Sequence, residues 1–143
     1  MPEETKIGNG AEQTVYLSQD NKSVLKINDS VYYLFWIDYL HNLLLHNYFF
    51  PDTSYQLMGF KETAGILYAV VKQPFIQFTE PTNIDLVKQF LSANGFEKKK
   101  NNDYINKSLG IILEDLHDEN VLVNQKILLF IDTVFYLTPT FYL

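Results

Sequence analysis

Short β-favouring runs joined in pairs by turn residues are the feature that most restricts this chain. They commit it to antiparallel, hairpin-built sheets. Lys6 to Leu17 and Ser23 to Ile27 flank Ser18-Gln19-Asp20-Asn21-Lys22, and turn chemistry between β-formers reads as a hairpin. Tyr55 to Phe60 and Ile66 to Val71 flank Lys61-Glu62-Thr63-Ala64-Gly65 in the same way. A third pair is expected at Tyr104 to Ile105 with Leu109 to Leu113. A fourth is expected at Val121 to Val123 with Lys126 to Ile131, turning at Asn124-Gln125.

Two stretches break the pattern and read as helices. The first starts at Asn28 or Asp29, either able to cap it, and continues without Gly or Pro to about Tyr48, before Pro51. Val31, Leu34, Phe35, Asp38, Asn42 and Leu45 share one face of it at steps of three and four. Asp38 therefore either sits half-exposed at the edge of that stripe or points inward to pair a buried cation. The second helix opens at Pro81-Thr82-Asn83 and runs to Ala93, with Asn94-Gly95 as its stop. The expected fold is α+β, an antiparallel sheet with one packed helix followed by a second helix and further hairpins.

A chain of 143 residues with 47% hydrophobic content can bury a real core. No repeat or linker divides it, so residues 1–143 are expected to form one domain. The net charge of −6 disfavours sequence-independent binding to nucleic acid, which needs clustered cations. Lys98-Lys99-Lys100 leads into Asn101-Asn102-Asp103 and reads as a solvated turn. Absence of cysteine excludes disulfides, thiolate catalysis and Cys-containing zinc sites. The acidic, polar start Met1-Pro2-Glu3-Glu4-Thr5 lacks the features of a secretory leader. Asp38, His41, Asn42, His46 and Asn47 make the most apolar stretch, Val31 to Phe50, a poor membrane span. A cytoplasmic protein without membrane contact is expected.

Four short pieces then stand in an order suited to binding ATP and moving its terminal phosphate: Gly8-Asn9-Gly10 leading to Val15, Val24-Leu25-Lys26, Asp115 with Asn120, and Asp132. The glycines lie between two strands, which argues against a P-loop or a dinucleotide turn, both of which open a helix. They either form a plain hairpin turn or let backbone amides approach phosphate. Lys26 shares its strand face with Val24 and Asn28 and points either to solvent or into a site. Asp115 to Asn120 is a polar loop between the apolar Ile111-Ile112-Leu113 and Val121-Leu122-Val123. It is either a solvated acidic loop or a place where Asp115 receives an acceptor proton and Asn120 ligates magnesium. Asp132 ends an apolar strand and needs a partner, which a metal ion would provide.

Taken together, these residues resemble the protein-kinase-like fold. Ile7-Gly8-Asn9-Gly10-Ala11-Glu12-Gln13-Thr14-Val15-Tyr16 is similar to the glycine-rich loop, with Gln13 in place of the third glycine. Val24-Leu25-Lys26 resembles the strand lysine motif, and Glu114-Asp115-Leu116-His117-Asp118-Glu119-Asn120 the catalytic loop. Asp132 takes the place of the D-F-G aspartate. More narrowly, Val70-Val71-Lys72-Gln73-Pro74-Phe75 and the hairpin from Tyr104 to Leu113 resemble the compact kinase domain of bacterial polyvalent proteins.

The resemblance implies an upper lobe over 1–75 and a reduced lower lobe over 76–143. It implies that Lys26 contacts the α- and β-phosphates, that Asp115 is the catalytic base, and that Asn120 and Asp132 hold Mg2+. Gly8, Gly10 and Val15 would cover the nucleotide, Gln73 to Phe75 would border adenine, and Asp38 would stand where the helix carboxylate pairs the lysine. Leu113 replaces the usual histidine, and Thr133-Val134 replaces Phe-Gly. No activation segment or helical lower lobe follows Asp132 before Leu143, so nucleotide binding is implied more strongly than protein phosphorylation.

Two functions are therefore expected in competition. One is a phosphotransferase acting on a small molecule or a partner protein. The other is an inactive, pseudokinase-like interaction module, marked by an apolar surface around Phe135 to Leu143 that would dock on the core or on another copy.

Overall fold

The computed structural model describes residues 5–9, 13–30 and 33–142, with the backbone alone for 5–9, 13 and 118. It is an α+β fold with antiparallel sheets. The first sheet joins β1 (Thr5–Asn9), β2 (Gln13–Leu17), β3 (Ser23–Asn28), β4 (Gln56–Thr63) and β5 (Ile66–Pro74) in the order β1-β2-β3-β5-β4. Val24, Lys26 and Asn28 all face the interior from β3, the face that the two-residue period assigns to Lys26. The β4–β5 turn, Ala64-Gly65, has both residues at positive φ, the conformation that matches the twist of a two-residue hairpin.

Helix α1 spans Trp36–Phe49, much shorter than the sequence predicts. Asn28 stays in the sheet, paired with Gln13 and Ala69, and its side chain accepts from the Ser30 amide at 2.6 Å. Strand pairing thus takes the backbone that a cap at Asn28 would need. The buried face is Tyr39, Asn42, Leu43 and His46, while Leu34 and Phe35 are exposed. Val31 lies outside the described residues. Leu34 and Phe35 precede the helix, so the buried face is set by the residues from Trp36 onward.

Helix α2 spans Ile84–Ala93, capped by the Asn83 side chain on the Asp85 amide at 3.0 Å and followed by Gly95 at φ 89. It buries Val87 and Leu91. A four-stranded sheet follows, built from β6 (Glu97–Lys98), β7 (Tyr104–Asn106), β8 (Ile111–Glu114) and β11 (Val134–Leu137) in the order β11-β8-β7-β6. The pair β9 (Val121–Asn124) and β10 (Ile127–Phe130) forms a separate hairpin. Its turn is Gln125-Lys126, one residue later than predicted, with both φ values positive. Neither residue is a glycine, and the Thr79 hydroxyl and the Glu80 carboxylate hold the two turn amides at 2.8 and 2.7 Å.

Two apolar clusters form the core. The smaller gathers Tyr39, Leu43, Ala69 and Val71 between α1 and the first sheet. The larger runs from Phe50 through α2 to β8, β9, β10 and β11, with the Phe50 and Phe130 rings stacked 4.1 Å apart. The apolar stretch after Asp132 docks on this second cluster: β11 pairs with β8 and buries Phe135, leaving Phe141 and Tyr142 exposed. Among the described residues, no helix is long and apolar enough to cross a membrane.

Gly110 locks the turn between β7 and β8. Its φ is 72°, and an added Cβ would stand 2.5 Å from the Phe141 amide nitrogen. Gly110→Ala should therefore cost about 2 kcal/mol or more, read as a lower urea midpoint. An unchanged midpoint would contradict the close approach.

Candidate active site

The site is built from strand register first. Gly8 pairs with Val15, Val15 with Lys26, and Lys26 with Val71, so these residues form one row across four strands. Directly opposed residues share a sheet face, which sets Val15 beside Lys26 on the interior side. Gly10 lies outside the described residues.

The Lys26 side chain is 4% exposed, and its ammonium is ion-paired with Asp132. It also donates to Gln73 Oε1 at 2.6 Å and stands 5.3 Å from the centre of the Tyr55 ring. A buried ammonium needs such partners, since unpaired charge in the interior is costly. Burial pushes the Tyr55 phenol well above its usual range, although a bond with the Asp132 backbone works the other way. Tyr55 is thus a neutral ring beside the ammonium.

Asp132 follows β10 and Thr133 precedes β11. Asp132 has φ 51, a left-handed position that needs support from its surroundings. That support is local: Ile131 donates to the Asn120 carbonyl at 2.7 Å, and the Thr53 hydroxyl donates to the Phe130 carbonyl. The first bond brings Asn120 within one residue of Asp132.

Asp115 leaves β8 just beyond the Glu114–Val134 pair, with φ 54. Asp115 and Thr133 thus follow and precede the last pair of this ladder, at one end of the sheet. The Asp115 amide donates to Asp103 Oδ1 at 2.9 Å. Asn102 donates to His117 Nδ1 at 3.0 Å, so His117 Nε2 carries the proton given to Asp115 Oδ1 at 2.7 Å. Asn120 Oδ1 accepts from the His117 amide at 3.1 Å and closes the loop. Burial first, then Asp103 and Asp115, pushes the neighbouring Glu114 carboxyl up.

The family of serine/threonine/tyrosine kinases found in polyvalent proteins matches residues 1–139. The chain belongs to this kinase family. Nothing matches among the curated proteins or among the solved structures. The match covers the glycine turn, the lysine strand, the loop from Asp115 to Asn120, and Asp132.

Within this kinase-family chain, the expected helix carboxylate does not meet the lysine. Asp38 sits at the start of α1 and accepts from the Phe35 amide at 3.2 Å. Asp132 is the carboxylate that pairs Lys26. Phe75 is half-buried where β5 ends, its amide bonded to the Lys22 carbonyl at 2.9 Å. Gln73 is buried, and its side chain joins Lys26 to the Thr53 carbonyl.

The residues behind the pair carry no motif. His46 Nε2 donates to the Thr53 carbonyl at 2.9 Å, and its Nδ1 accepts from the Thr133 hydroxyl. Burial first, with a contribution from Lys26, lowers the His46 pKa to about 4, against an opposing bond to Thr53. The spacing of Tyr39, Asn42, Leu43 and His46 held the signal, because these residues recur at helical steps on one face.

Asn120 and Asp132 both carry oxygen donors, and the backbone bond from Ile131 to the Asn120 carbonyl ties their two segments together. Among the described residues, no group of three or more His, Asp or Glu could hold a metal ion. The donor set suits a hard cation that keeps several waters and takes further oxygens from a phosphate.

Proposed function

We propose that this chain binds ATP with magnesium and transfers its terminal phosphate to an acceptor, a small molecule or a partner protein. The observation that carries the reading is the Lys26–Asp132 pair: residues 106 apart in sequence meet at the row that starts at Gly8. In this reading residues 1–75 act as an upper lobe and 76–143 as a reduced lower lobe, with the nucleotide between them.

Lys26 would hold the α- and β-phosphates, below Gly8, Gly10 and Val15, with Phe75 near the base. Asn120 and Asp132 would hold magnesium, which neutralises phosphate charge when bound. Asp115, oriented by the His117 N–H, would take the acceptor proton. Most of the rate in such chemistry comes from positioning and charge, and the base adds to it.

Calorimetric titration of ATP into the protein, with magnesium and with EDTA, tests this. Binding that needs magnesium and weakens at least about tenfold in Asp132→Asn is expected. Absence of binding by folded protein in both buffers would overturn the proposal.

A second reading has its own observation. Ile37, Leu44 and Tyr48 leave an apolar stripe exposed along α1, with Leu34 exposed just before it, as a partner-binding module would. That reading gains if the protein is folded and binds no nucleotide.

A further inference from the structure

We propose that Gln73 is the positioning residue for Lys26, anchoring the ammonium from the sheet so that it can meet the phosphates of a nucleoside di- or triphosphate. The inference rests on the nucleotide-site reading above and deepens it, since that reading leaves Gln73 at the adenine end of the pocket.

Among the described residues, Lys26 has two polar side-chain hydrogen-bond partners, Asp132 and Gln73. A metal ion drawn to Asp132 would leave Gln73 as the partner that keeps the buried ammonium in place. Gln73 is suited to that task because its own orientation is fixed. Its Nε2 donates to the Thr53 carbonyl at 2.8 Å, so Oε1 faces Lys26. The residue is 1% exposed and has no room to turn away into water.

The charge type also fits. An amide oxygen accepts a hydrogen bond without neutralising the ammonium, so the charge of Lys26 stays available to phosphate. The other end of the anchor is shared. The Thr53 carbonyl also accepts from His46, which accepts from Thr133, and the Thr53 hydroxyl bonds the Phe130 carbonyl. Phe130 and Thr133 bracket Asp132, so a closed circuit runs from Lys26 through Gln73, Thr53 and His46 back to Asp132. Helix α1 supplies a neutral histidine to this circuit and no carboxylate to Lys26.

Affinities of Mg·ADP and of adenosine, measured on the full chain for wild type, Gln73→Met and Gln73→Glu, separate the roles. A positioning role predicts that Gln73→Met weakens Mg·ADP about ten- to a hundredfold and leaves adenosine within about twofold. Gln73→Glu keeps an acceptor for Lys26 and the side-chain volume, but sets its second oxygen against the Thr53 carbonyl and so releases the anchor. It should give the same split, and it decides the question if Gln73→Met does not fold. Equal losses for both ligands would make Gln73 part of the adenine pocket and overturn the inference. Unchanged Mg·ADP affinity in a folded variant would overturn it too, with the nucleotide reading intact. Wild-type protein that binds neither ligand would overturn both.

Discussion

Asp115→Asn should cut magnesium-dependent ATP turnover about a hundredfold to ten-thousandfold, the range a general base supplies, and leave ATP affinity within about twofold. The substitution is nearly isosteric. Its amide oxygen can still accept from His117 Nε2, as Asp115 does at 2.7 Å. Asparagine also tolerates the φ of 54° at this position. What it loses is the ability to take a proton. Turnover, followed as phosphate released or incorporated from labelled ATP, and affinity, from calorimetry, must therefore separate. Turnover equal to wild type would remove Asp115 from the chemistry. A parallel loss of affinity would make it a ligand-holding residue instead.

The second large effect is on stability, through His46. The ring is fully buried, and its pKa falls from 6.5 to about 4 in the folded protein. Between those values the unfolded chain binds a proton that the folded protein refuses, so stability rises with pH. The contribution is complete above pH 6.5 and lost as pH falls towards 4, about 3 kcal/mol across the window. Lys26 and Asp132 face the ring with opposite charges, so burial sets the direction. Urea midpoints measured from pH 7 to pH 4 should fall steeply for wild type and much less for His46→Gln. The same slope in both proteins would show that another group drives the acid loss.

The helix and hairpins that follow local rules were readable from sequence. Asn83 and Gly95 bound α2 as capping chemistry requires, and Ala64-Gly65 turns the β4–β5 hairpin. Non-local pairing was not readable. Asn28 looks like a cap but is held by neighbours at Gln13 and Ala69, and α1 consequently starts at Trp36. Strand β11 could not be seen because its partner, β8, lies some twenty residues upstream and no turn joins them. At Gln125-Lys126 the hairpin turn uses residues of ordinary composition, because Thr79 and Glu80 stabilise it from another segment.

The candidate site divides in the same way. Only their motifs point to Lys26 and Asp132, since a strand lysine alone gives no sign of facing inward. Asp38 drew attention as a carboxylate on a helix stripe, yet its position in the first turn makes it a cap. His46, Thr53 and Thr133 carry no motif, and only packing brings them behind Lys26. Gln73 was placed at the edge of the pocket by analogy, and the strand register turns it towards the lysine.

The most direct test of the central claim, that Lys26 stands at a nucleotide phosphate site, is labelling with an ATP acyl-phosphate. Such a reagent acylates an amine held beside the phosphates. The chain has 11 basic residues, all of them lysines, so peptide mass spectrometry reads every candidate. Lys26, buried as it is, should become the principal modified residue and be protected by excess Mg·ATP. Labelling spread over the exposed lysines, with Lys26 untouched and no protection by ATP, would contradict it.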